Sequence, residues 1–248
     1  MQRRVIIVLL VAAAVFGGLF YLIGLNAVDA TDRRRALAMA QMVTGLLAIW
    51  VYICGAVMYR YRNSIRARVL AVPLNWRVKF VLFCTVLACL EEAVTVSMTN
   101  LAPLFGSHIG EAFITASTNY LDVILFHSVV VFIPYFIVLA WLLGRYDFKP
   151  FAVFLSFGVV GTMAEVIFAA NLGAAMMFPL WAFVYGLMVW LPTYCLPADR
   201  GARPISLLVQ FALPVAIFVP ALPMILPIVY VISVALGHPA IDFFPQEG

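Results

Sequence analysis

From Val5 to Leu25 the chain runs for 21 residues without one charged side chain, and that stretch excludes most soluble folds. A helix needs about 20 such residues to cross a hydrocarbon core of about 30 Å. Comparable runs recur at about Ala36–Met58, Phe80–Leu101, Leu121–Gly144, Phe151–Leu172, Phe178–Leu196 and Ile205–Gly237. Hydrophobic residues make up 66% of the chain and charged ones 10%, and the mean hydropathy is +1.10. A soluble domain carries about a quarter charged residues, so little of the chain is left for a water-exposed unit. The predicted fold is all-α: a polytopic transmembrane helix bundle of about seven spans (six to eight), with no separate soluble domain across residues 1–248.

The first run is longer than the 7 to 15 residues of a signal-peptide core. It therefore reads as a retained helix, although Val28, Asp29 and Ala30 would suit a cleavage site. The last run has 33 residues, about 50 Å as a helix. Pro214, Pro220, Pro223 and Pro227 lie inside it, and each removes a backbone donor. That predicts a kinked, proline-broken or re-entrant segment, with an eighth crossing if it turns back.

Charge sets the orientation. With the N-terminus inside, twelve basic residues share the inner side: Arg3, Arg4, Arg60, Arg62, Arg66, Arg68, Arg77, Lys79, Arg145, Lys149, Arg200 and Arg203. Arg33, Arg34 and Arg35 alone oppose them. The positive-inside rule then places the N-terminus in the cytoplasm and, for seven spans, the C-terminus outside. The expected location is the plasma (inner) membrane of a prokaryote, and the expected partner is the lipid bilayer. The net charge of +4 is explained by these loops and gives no reason to expect nucleic acid. Cys54, Cys84, Cys89 and Cys195 sit in or beside apolar runs without a C-x-x-C pair, and read as buried apolar residues.

The functional signal lies in polar residues that interrupt the spans. Glu91 and Glu92 fall deep in the third, where an ionised carboxylate costs about 2.5 to 3.5 kcal/mol. By i, i+4 spacing Glu91 shares a face with Thr95 and Thr99, and Glu92 with Val96 and Asn100. The fourth span carries Tyr120, Asp122 and His127, with Asn119 or Ser117 placed to cap its start. At five residues apart on an α-helix, Asp122 and His127 diverge by about 140°, so the expected carboxylate partner of His127 is Glu91 or Glu92. The fifth span adds Glu165, with Asn171 further out. Gly158 and Gly161 share the Glu165 face and would let a neighbouring helix approach it.

No Lys or Arg lies inside these three spans. Their carboxylates must therefore be balanced by protons, His127, hydrogen bonds or a bound cation. The candidate catalytic residues are Glu91, Glu92, His127 and Glu165, which are also the candidate ligands of a divalent metal. Asn100, Asn119, Tyr120, Asp122 and Asn171 are the candidate substrate contacts. The segment 102–120 has no Lys or Arg; its roughly helical spacing of polar and apolar residues suits an interfacial helix, a re-entrant lid or a plain connector.

A Glu-Glu pair on one span with a His on the next resembles the CAAX-type and bacteriocin-processing membrane proteases. The likeness covers Glu91, Glu92 and His127 alone. The Arg which that family places shortly after its pair is missing, and so is a second His within a later span, so Glu165 or Asn171 would have to substitute. The resemblance implies an intramembrane hydrolase in which Glu and His bind a metal or activate water. A different class fits the same residues: a proton- or cation-coupled carrier of small solutes, completed if need be by a homo-oligomer. The third reading is structural, with buried carboxyls tying helices together at about 0.6 kcal/mol per contact.

Overall fold

The computed structural model describes residues 2–168 and 172–239, and is nearly all-α. The first apolar run forms α1, Gln2–Asn26. Asp29 then caps the next helix, accepting hydrogen bonds from the amides of Thr31 and Asp32 at 2.8 and 3.1 Å, as Asp does well at this position. That helix, α2, continues from Ala30 to Ala71 with a π-helical stretch at Leu47–Cys54. The basic stretch after Met58, expected as a loop, is thus a helical extension. No Gly or Pro interrupts Ala56–Val72, and Arg, Ala and Leu are strong helix formers. Pro73 disfavours helix at the residue before it and closes the element. Lys79 reaches back to the last carbonyls, with Nζ 2.9 Å from Val69 O, 3.3 Å from Leu70 O and 3.0 Å from Val72 O.

Helix α3 is Trp76–Asn100. The fourth run folds as α4 in two pieces, Tyr120–His127 and Val129–Arg145, bent by 49° at Ser128. Then come α5, Pro150–Phe168; α6, Leu172–Tyr194, whose first turns are 3-10; and α7, Leu207–Ala235. Six of these helices are long and apolar enough to cross a membrane, and seven if the bent pair is one span. The last run does not fold back on itself. It is a single candidate span of 29 residues, with a one-residue interruption at Ile217 and a π-helical end at Val231–Ala235.

Helices α5 and α6 make the closest approach, because glycine leaves room for it. A Cβ on Gly158 would lie 2.6 Å from the Ala182 Cα, and one on Gly161 2.0 Å from the Tyr185 ring. Around this seam Phe132, Tyr135, Phe136, Phe157 and Tyr185 pack ring against ring, joining α4 to the pair. Helix α7 is fixed to the bundle through carbonyls near Pro214. The Tyr135 hydroxyl donates to Pro214 O at 2.7 Å, and Ser156 donates to Phe211 O at 2.9 Å. At the basic end, Tyr146 and Asp147 pair in parallel with Arg203 and Pro204.

Candidate functional site

The segment between α3 and α4 forms no interfacial α-helix. After a 3-10 turn at Ala102–Phe105 it is irregular, with left-handed glycines at Gly106 (φ 79°) and Gly110 (φ 87°). It packs inward, burying Ala102 and Ala112 against Ala38, Met42 and Met98. Two bonds fasten it to the end of α3: the Ile114 amide donates to Thr99 Oγ1 at 3.2 Å, and Asn100 Nδ2 donates to Thr118 O at 3.0 Å. A third tie runs to α2, with Glu111 accepting from the His108 amide at 3.2 Å and facing Arg34 at 3.5 Å. These contacts hold the Glu111 carboxyl below the usual carboxylate range, the His108 amide first, then the Ser107 hydroxyl and the Arg34 charge.

Beneath this cover lie the intramembrane carboxylates. Glu91 and Glu92 are buried at 4% and 8% exposure. Glu165, on α5, is near enough for its charge to bear on both Glu91 and Glu92. The Thr95 hydroxyl stands 3.2 Å from the Glu92 carboxylate and 3.0 Å from Glu91 O, its single proton serving one at a time. Glu165 accepts from the Tyr185 hydroxyl, an arrangement that depends on the glycine seam drawing α6 against α5. Among the described residues no Lys or Arg forms an ion pair with any of the three carboxylates.

His127 departs from expectation. It pairs neither with Glu91 nor with Glu92; its Nε2 lies 3.1 Å from Asp122 Oδ2, the pairing that α-helical geometry excludes. The reason is a π-helical turn at Val123–His127, closed by the Ser128 amide on Val123 O at 3.0 Å. An i→i+5 hydrogen-bond pattern brings residues five apart onto one face. The next residue, Ser128, sits at the bend with its buried Oγ turned to the Glu92 carboxylate.

The second histidine is one the sequence reading missed. His238, just past α7, places Nε2 2.6 Å from Asp122 Oδ1 and stacks on Phe126 at 4.7 Å. The Asp122, His127 and His238 donor atoms all lie within 4.8 Å of one another. A tetrahedral zinc ion would hold such atoms about 3.4 Å apart, so modest side-chain shifts would seat one. The signal for His238 was its position: four candidate spans, an even number, separate it from Asp122, so the chain is back on the side where Asp122 lies.

The tautomer sharpens this. His238 Nδ1 lies 3.0 Å from Pro239 O, and a carbonyl only accepts, so Nδ1 carries a proton. Nε2 then meets a carboxylate oxygen, a contact that a second ring proton, a carboxyl proton or a bound cation would each satisfy. A backbone carbonyl on the far nitrogen is also the usual device that orients a metal-bound histidine.

The predicted substrate contacts are occupied with structure. Asn119 caps α4, accepting from the Leu121 amide at 3.0 Å; the Tyr120 hydroxyl donates to Cys89 O at 2.9 Å; Asn100 holds the cover segment. Asp122 joins the histidines, and Asn171 lies outside the described residues. Compared with known proteins, the chain matches no family model, no curated protein and no solved structure.

Proposed function

We propose that this protein is an intramembrane metal-dependent hydrolase, with a divalent cation held by Asp122, His127 and His238. The observation that carries the reading is the convergence of those three donors from α4 and the end of α7. Three protein ligands leave a fourth position for water, the pattern of catalytic rather than structural zinc sites. A divalent ion held by these three residues would supply activation of water at neutral pH. Glu92, buried beside Ser128, is the nearby carboxylate suited to accept the proton. Two histidines and a carboxylate also suit ferrous iron, so the identity of the metal is part of the test. Protein purified in detergent is expected to carry one zinc per chain by mass spectrometry. Asp122→Asn and His238→Ala are expected to lose it, and cleavage of a fluorogenic transmembrane peptide should stop with chelator and return with zinc. Wild type free of both zinc and iron, or metal-loaded protein inert toward peptide and ester panels, rejects the reading.

A second reading rests on Glu91, Glu92 and Glu165, which lack a basic partner and so fit a proton- or cation-coupled carrier. In proteoliposomes Glu91→Gln would then change the pH dependence of solute flux, and an unchanged profile rejects it.

A further inference from the structure

At the basic end of the bundle, a shallow apolar crevice opens between α2, α3 and the end of α6. Val69, Leu70, Trp76, Phe80 and Phe83 form its greasy walls, and Lys79 and Leu196 sit at its edge. Arg66 lies one turn before Leu70 on the same face of α2. Its Nη2 donates to Leu196 O at 3.3 Å and its guanidinium rides over the Tyr194 ring. The Nε of the same group is buried and has no hydrogen-bond partner, a donor held ready beside the cavity. The Lys79 donors are taken by the three carbonyls ending α2, yet its charge stays. The surrounding charge is one-sided: Arg68 and Arg77 are near in sequence, and Asp147, one of the few acids at this end, is already bound to Arg200.

We infer that this crevice binds an anionic phospholipid, an acyl chain lying along Trp76 and Phe83 and the phosphate on Arg66. Two features together select that ligand. A free inorganic anion has no use for apolar walls, and a zwitterionic lipid gains little from uncompensated cations. An interfacial tryptophan beside arginine is the usual setting of a headgroup.

Trp76 makes the test direct. Full-length protein is placed in phosphatidylcholine bilayers containing a small fraction of brominated phosphatidylglycerol or brominated phosphatidylcholine. Quenching of Trp76 is read as the difference between wild type and Trp76→Phe. The expected result is a preference of about fivefold for the anionic lipid, falling to none in Arg66→Gln and unchanged in Arg60→Gln, about 120° round the helix from Arg66. Equal quenching by the two lipids in wild type overturns the inference without any variant. So does loss of the preference when inorganic phosphate replaces chloride at constant ionic strength, which would mark a site for the free anion.

Discussion

Tyr185 and Glu111 show how differently single polar contacts weigh inside and outside the membrane. The Tyr185 hydroxyl is the donor to Glu165 in a region without basic side chains. Hydrogen bonds in membrane proteins average about 0.6 kcal/mol, but stripping a buried carboxylate of its donor costs more. Tyr185→Phe should therefore destabilise by about 1 to 2 kcal/mol, read from unfolding in mixed detergent micelles. Glu111 is half-buried outside the spans, and its carboxyl is held below the usual range, chiefly by the His108 amide. A depressed value means that its contribution is complete above the ordinary glutamate value of about 4.3 and is lost as pH falls through the lower folded one. Hydrogen exchange across residues 106–114 should stay flat from neutral pH down to that range and rise only below it. Loosening at mildly acidic pH would contradict the assignment. At this scale the sequence exposed Glu91, Glu92 and Glu165, because a carboxylate in an apolar run announces its own cost. It concealed the Asp122–His127 pair, since nothing in Val123–His127 marks a π turn, and His238, which stands outside every span.

Helix boundaries followed from hydropathy wherever a span ended at a turn residue, as at Asn26 and Asn100. They failed at Met58, because loss of hydrophobicity ends a crossing and not a helix, and backbone hydrogen bonds continue into water until Pro73 stops them. The glycines of α5 were legible as a contact face, and the structure gives them their partner, α6. Gly161→Ala would drive a methyl group to 2.0 Å from the Tyr185 ring. Overpacking of that kind costs about 1 to 3 kcal/mol, and it should also displace the hydroxyl from Glu165. In a double-mutant cycle Gly161→Ala and Tyr185→Phe are then expected to be less than additive. Gly18→Ala, where a Cβ meets nothing within 4 Å, is the neutral control. Full additivity would mean that the seam and the hydroxyl act independently.

At the scale of the whole molecule, His238 at Asp122 puts the end of α7 beside the start of α4. With the bent α4 counted as one span, the described residues hold seven helices long and apolar enough to cross a membrane, and seven crossings would leave the two ends on opposite sides. Alkaline phosphatase fused after residue 239 should accordingly be active outside, and fusions in the basic turns at 146–149 and 198–203 inactive. Activity in those turns would invert the topology. One long element ties the two membrane surfaces together. Helix α2 runs 42 residues, about 63 Å, twice the thickness of the hydrocarbon core. Arg34, which clasps the cover segment, and Arg66, at the crevice, lie on it about 48 Å apart. A single helix thus carries both the residue that clasps the cover segment and the residue beside the crevice, so the two ends of the bundle share one backbone.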